Sequence, residues 1–532
     1  MNRSPFAPEV IRNVCDHMDD PTLLSMALTS KDFLEPALDT LWRDLTSFKP
    51  LLSCLPDIND LWIMEEFEPP IETQDLIEVL YPRRAITQKD LGRYLAFYAP
   101  RIRRFRPYIH GGIKINLSVE ALQALQLASG GKPGVLSPLL REFCWPSPDV
   151  VSTLLGEDAK RQLSPYMSLF LGDALTTIMF DVPPELPLHA GSLDQALNRH
   201  PRLKRIAITS KSEMDRVFIE KCITSSPLEY LERISVPFVT APMIQHLALR
   251  PQLNNLEVLG ESTTDIPSLP TITGSATING FFPNLRSITI SRTSLSTLQD
   301  LLRCIPSANG ITDVICGPTG KLTTSDIQGV IKAISARCNP STLTNLEFSI
   351  DSKRGSVYAV VEEPLEGNTS SDVDISPLFG FGELRNLNLC LGDTICLTPT
   401  EISAIPVAFP KIRTLALGSN TREFRPPRLD HTHFISLLQS CPSLTELRLF
   451  FDTTGMIGEV VPGAPFQLAT LEVGNSPIYS PSRVLSFMKA NLPSLYYVDG
   501  PMVGLHNHNP PIFYRRWRWV NEQLPAEPST SS

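Results

Sequence analysis

Pro442-Ser443-Leu444-Thr445-Glu446-Leu447-Arg448-Leu449 is one copy of a pattern that recurs along this 532-residue chain. The proline cannot continue a preceding helix, and it biases its predecessor toward extended backbone. The h-x-x-h-x-h run that follows alternates apolar and polar side chains with the period of a half-buried strand. The same octet is read from Pro201 to Ile208, Pro251 to Val258, Pro283 to Ile290 and Pro410 to Leu417, and Pro100 and Pro493 open shorter versions. Other units keep the strand without the proline: Leu140-x-x-Phe143-x-Trp145, Leu175-x-x-Ile178-x-Phe180, Leu231-x-x-Ile234-x-Val236, Leu343-x-x-Leu346-x-Phe348, Leu384-x-x-Leu387-x-Leu389, Leu468-x-x-Leu471-x-Val473 and the weaker Ile311-x-x-Val314-x-Cys316. The first apolar residue of each unit falls at 102, 140, 175, 203, 231, 253, 285, 311, 343, 384, 412, 444, 468 and 495, a mean step of about 30 residues. Helical stripes such as Leu295–Cys304, Ile327–Arg337, Phe434–Ser440 and Val484–Lys489 lie between the strands. The pattern predicts an α/β array of stacked strand–helix units.

This array resembles an irregular, long-repeat leucine-rich-repeat solenoid, whose strand core is L-x-x-L-x-L. Only Asn420 stands where that family places its asparagine, so loose curvature is expected. Strand side chains alternate, so the polar residues flanking the second apolar position point away from the core. Arg205, Arg233, Glu257, Glu347, Asn388, Glu446, Arg448 and Glu472 are such positions, and the resemblance makes them candidates for holding a protein target on a concave face. Their mixed charge suits a protein or peptide better than nucleic acid or lipid.

The first 45 residues read differently. Val10, Ile11, Val14, Cys15 and Met18 share one helical face, Pro8 is placed for the first helical position, and Glu9 is favourable beside the positive helix end. Asp20 and Pro21 start a second helix with Leu23, Leu24, Ala27 and Leu28, and a third from Pro36 aligns Ala37, Leu38, Leu41, Trp42 and Leu45. Three helices this short do not bury three stripes among themselves, so either the following domain or another protein has to cover part of them.

The string Ala7-Pro8-Glu9-Val10-Ile11, Leu23-Leu24-Ser25-Met26-Ala27-Leu28-Thr29-Ser30-Lys31, Phe33 and Leu41-Trp42 resembles an F-box, and with the array the chain resembles F-box/leucine-rich-repeat proteins of the fungal type. It departs from the F-box pattern at Ala7, where leucine is usual, and at Cys15, where a bulkier residue is usual. The resemblance implies a substrate-recognition subunit of an SCF-type ubiquitin ligase, an intracellular protein that is not itself an enzyme. Pro8, Glu9, Val10, Ile11, Val14, Leu23, Leu24, Leu28, Leu41 and Trp42 would dock the Skp adaptor, which is attached to a cullin scaffold. The alternative is an adaptor-independent repeat scaffold whose first helices cap the array. The expected organisation is an F-box motif over 1–50, an acidic linker over 51–90, the solenoid over 91–500, and a C-terminal cap and tail over 501–532.

Composition supports these readings by exclusion. Apolar residues make up 42 % and charged residues 19 %, which is globular. Net charge is −9, against gripping nucleic acid. No apolar run reaches the 18 residues of a membrane span, and Arg3, Glu9 and Arg12 interrupt any signal-peptide core. The ten cysteines are scattered without C-x-x-C, which points to a reduced compartment rather than a zinc or disulfide framework. Gly317-Pro318-Thr319-Gly320-Lys321 has the wrong glycine spacing for a phosphate loop and is followed by Leu322 where Ser or Thr is needed. His431/His433 and His506/His508 lack further ligands for a metal, and no hydrolase motif is present, so neither cofactor nor catalytic residue is expected. The acidic run from Leu51 to Pro82 reads as linker, although Trp62 and Phe67 within it could dock back on the array, and Gly355–Pro377 reads as an acidic insertion. Arg101, Arg103, Arg104 and Arg106 read as a solvent face, and Trp517 and Trp519, among Arg515, Arg516 and Arg518, as a cap on the open end of the array.

Overall fold

The computed structural model describes residues 8–55, 58–67, 77–106, 114–144, 164–182, 187–210, 215–260, 282–307, 309–318, 323–349, 373–390, 395, 397–417, 427–474, 476–499 and 512–525. They form two compact units, Met1–His246 with Arg250–Gln252, and Leu247–Leu249 with Leu253–Ser532.

Every one of the fourteen anchors is buried and is followed by a strand. In the first unit Asp44–Leu45, Arg104–Phe105, Glu142–Cys144, Thr177–Val182, Arg205–Ser210 and Arg233–Val236 pair in that order, all parallel. In the second, Asn255–Leu259, Ser287–Thr293, Asp313–Pro318, Asn345–Ser349, Asn386–Cys390, Thr414–Leu417, Glu446–Arg448, Thr470–Glu472 and Tyr497–Asp499 do the same. The register sets equivalent residues side by side, so Leu256, Ile288, Val314, Leu346, Leu387, Leu415, Leu447, Leu471 and Val498 make one buried row. Helices Leu295–Arg303, Thr324–Arg337, His431–Ser440 and Pro481–Asn491 contain the expected stripes.

The turns entering the strands are satisfied by the backbone itself. In most repeats of each unit one carbonyl accepts from two consecutive N–H groups of the next, as Arg286 O does from Thr312 and Asp313 at 2.8 and 3.0 Å, and Arg413 O from Thr445 and Glu446 at 2.8 and 3.1 Å. Threonine hydroxyls at 312, 344 and 445 donate to the same carbonyls. This ladder does the work of an asparagine ladder, since buried backbone donors must find acceptors. Asn420 lies outside the described residues. Elsewhere Asn491, fully buried, donates to the carbonyls of Glu459 and Phe487 at 2.8 Å and accepts from Val461 N at 2.7 Å.

The ladder starts earlier than the repeat pattern suggests. Arg43 O accepts from Arg103 and Arg104 N–H, both at 2.9 Å, and Arg106 N–H donates to Leu45 O at 2.8 Å. Trp42-x-x-Leu45 is therefore a first, cryptic repeat whose strand pairs with the one at 104–105. The stretch 51–90, expected as a linker, instead contains strand Trp62–Phe67 antiparallel to Ile77–Pro82, which pairs parallel with Lys114–Leu117. Trp62, Val79 and Leu80 are buried, so apolar residues between the acidic ones build a small sheet. Of the acidic insertion, residues 355–372 lie outside the described residues, and Val373 and Ile375 beyond them are buried.

At the far end helix Ile512–Glu522 packs on the last strand and on helix Pro481–Asn491. Trp517 is fully buried with Nε1 donating to Ser476 O at 2.8 Å, and Arg516 donates to Ile478 O at 2.8 Å. Trp519 stays exposed. No helix among the described residues is long and apolar enough to cross a membrane.

Candidate functional site: the outer face of the N-terminal helices

Three helices open the chain: α1 (Pro8–Asp16), α2 (Asp20–Thr29) and α3 (Lys31–Leu41). Asp19, one residue before the expected cap, accepts from Thr22 N–H at 3.1 Å, and hydrogen bonds from Thr22 hold its carboxyl below the usual range. Ser30 caps α3 by accepting from Asp32 N–H at 3.3 Å. Helix α3 thus begins five residues before Pro36, which it carries internally.

The helices share a core of Ile11, Cys15, Leu23, Ala27 and Ala37, with Met18, Met26, Phe33 and Leu41 packed against it. Cys15 is fully enclosed, and desolvation, with Asp16 adding to it, raises its thiol pKa, so the smaller residue is a core residue. The expected stripes therefore split by face. Val10 and Val14 are 49 % and 41 % exposed, one turn apart on α1, and Leu24 and Leu28 are 55 % and 80 % exposed, one turn apart on α2. Leu34 on α3, which the stripes did not include, is 36 % exposed. Glu9 is exposed in the first turn, beside Pro8 at its start.

Four of the ten expected docking residues belong elsewhere. Ile11 and Leu23 fill the helices' own core and Leu41, half-buried, packs against it, since the face nearest the other two helices is covered first. Trp42 lies over Tyr98, with ring centroids 4.4 Å apart, and near Tyr94 at 6.4 Å. A helical stripe shows which residues are apolar but not which of them a neighbouring helix reaches. Of the expected residues, Val10, Val14, Leu24 and Leu28 are left to an incoming surface, with Leu34 also exposed on α3.

The same helices are tied to the first repeats. Arg101, from the first repeat recognised in the sequence, reaches both Glu35 and Asp39 on α3, and its Nε donates to Phe97 O at 2.8 Å. Arg43 pairs with Asp16 at 2.6 Å, Arg104 with Asp44 at 2.6 Å, and Arg106 with Glu142 at 3.6 Å. Of the four arginines expected as a solvent face, Arg101 thus clips α3 to the first repeat, while Arg104 and Arg106 pair with acidic residues of neighbouring strands.

The candidate target residues fall into register rows. Glu257, Thr289, Ile315, Glu347, Asn388, Ala416, Arg448, Glu472 and Asp499 are consecutive partners across the second unit, and Glu446 lies in the adjacent row with Asp313, Thr414, Thr470 and Tyr497. Arg448 is paired with Glu472. Arg205 and Arg233 are register partners in the first unit, in a row with Arg104, Glu142 and Thr177. Parallel pairing alone brings these residues, up to 242 positions apart, side by side within each unit.

No group of three or more His, Cys, Asp or Glu among the described residues has the arrangement of a metal site. His433 Nδ1 contacts the Asp430 carboxylate at 2.7 Å as part of a helix cap, and His506 and His508 lie outside the described residues.

No family model and no curated protein matches the chain. Among solved structures it is similar to a chain in the crystal structure of the Rad7 and Elc1 complex in yeast, at 12 % identity and a TM-score of 0.34, over 80 % of this chain and 83 % of that one. A likeness of that size transfers no residue role.

Proposed function

We propose that this chain is the substrate-recognition subunit of an SCF-type ubiquitin ligase, in which the outer face of α1 and α2 docks a Skp adaptor and the strand rows hold a protein target. One observation carries the reading: Val10, Val14, Leu24 and Leu28 are exposed on helices whose inner faces are already filled. Covering an exposed leucine is worth about 1.5–3 kcal/mol, so leaving two of them and two valines in water on so short a segment favours an incoming apolar surface. The adaptor is in turn attached to a cullin. The chain's contribution is positional, because a tethered target presents its lysines at high effective concentration to the conjugating machinery. Bond chemistry belongs to other subunits, and the chain is not an enzyme.

The experiment is capture of a purified Skp adaptor by the full chain and by Leu24→Asp/Leu28→Asp. Both leucines are exposed, so the variant keeps its core; loss of capture with an unchanged circular dichroism spectrum is expected, and retained capture overturns the assignment.

The scaffold alternative has its own support, since α3 runs directly into the cryptic repeat at Trp42–Leu45 and is clipped by Arg101. Deleting residues 1–50 removes a sheet strand as well as the docking face, so the point variants separate the two readings and the deletion does not.

A further inference from the structure

The strand face of the second unit carries charge of predominantly one sign. In its two outward rows the charged residues are Glu257, Asp313, Glu347, Glu446, Glu472 and Asp499 against the single cation Arg448, which is itself paired with Glu472. The equivalent row of the first unit has the opposite bias: Arg104, Arg205 and Arg233 outnumber Asp44 and Glu142, and Arg104 is paired with Asp44. Nothing in the fold requires this contrast, because leucine-type residues fill the same inward positions in both.

A further feature of the acidic face suits a cationic ligand. Tyr497, 40 % exposed, stands in the adjacent row, and its phenol pKa is raised by burial and then by the charges of Asp499 and Glu472. An aromatic face beside carboxylates on neighbouring strands, about 4.8 Å apart, suits an ammonium or guanidinium group.

We infer that the strand face of the second unit docks a lysine- or arginine-rich segment of the protein target. This rests on the reading of the rows as the target-holding surface, and it adds the chemistry of what they hold. Charge complementarity of this kind sets partner choice and association rate more than raw affinity. Arg286, Arg385 and Arg413 occupy the turns before the strands, outside the two rows, where they would flank the bound segment.

The test uses the full chain and two fluorescein-labelled twelve-residue peptides, one alternating Lys and Ser, the other Glu and Ser. Anisotropy titrations compare the unmodified chain with Glu257→Gln/Glu347→Gln/Glu472→Gln and with a charge-matched control away from the face, Glu120→Gln/Asp173→Asn/Glu229→Gln. The expected result is binding of the lysine peptide only, weakened about tenfold by the face variant and less than about twofold by the control, with the salt dependence reduced in the face variant alone. Equal losses in both variants, equal binding of both peptides, or no binding of the lysine peptide overturns the inference. Adaptor capture by the face variant, measured in parallel, stays at the level of the unmodified chain. A failure of the Leu24/Leu28 experiment therefore refutes the ligase reading and leaves the peptide result standing.

Discussion

His200 occupies the slot before the repeat proline, which Ala99, Phe282, Phe409, Cys441 and Leu492 fill with buried apolar groups in other repeats. It is only 3 % exposed, and its Nε2 has no partner among the described residues. Burial, with the charge of Arg199 adding to it and that of Asp173 opposing it, pushes its pKa from 6.5 down to about 4. The unfolded chain binds this proton near pH 6.5 and the folded chain does so only near pH 4. Stability is therefore unaffected by this group above pH 6.5 and is lost progressively as pH falls toward 4. Integrated over that window the loss is about 3 kcal/mol, from 1.36 kcal/mol per pKa unit. Substituting His200→Leu removes the titration and the unsatisfied nitrogen, which by itself costs about 1–3 kcal/mol when buried. In urea unfolding followed by fluorescence, the variant is expected to match or exceed the unmodified chain at pH 7, and its advantage to grow by about 2 kcal/mol at pH 4.5. An advantage that is the same at both pH values refutes the argument, because the imidazole would then be reaching solvent or a partner in the folded state.

Three other expectations follow from the packing. Asn491→Leu leaves Val461 N–H and two carbonyls without their partner, and should cost about 2–4 kcal/mol in the same urea assay. Trp517→Ala empties the cap at the end of the array, with an expected cost of about 3–5 kcal/mol and faster proteolysis near the last strand. Arg101→Ala releases Glu35 and Asp39, and should increase hydrogen exchange in α3 before it changes the global midpoint; unchanged exchange there would show that the ladder at Arg43 alone holds the helices.

The array was legible because its signal is local and repeated. An h-x-x-h-x-h run specifies both a strand and the face it buries, and the parallel register then follows from stacking like on like, as the unbroken row from Leu256 to Val498 illustrates. The cryptic repeat at Trp42–Leu45 was not legible, because its strand has two residues and the next anchor is 60 positions on, beyond a sheet built from the acidic stretch. That stretch reads as linker by charge, yet Trp62, Val79 and Leu80 find cover in the tertiary structure.

The sequence by itself determined which residues of the first helices are apolar and at what spacing, since amphipathic periodicity is a property of neighbours along the chain. Only the tertiary structure decided that Ile11 and Leu23 enter the helices' own core with Leu41 packed against it, that Trp42 lies on Tyr98, and that Val10, Val14, Leu24 and Leu28 remain in water. The physical reason is that a stripe about 100° wide is broader than the contact line between two short helices, so packing consumes one edge of it and leaves the other exposed.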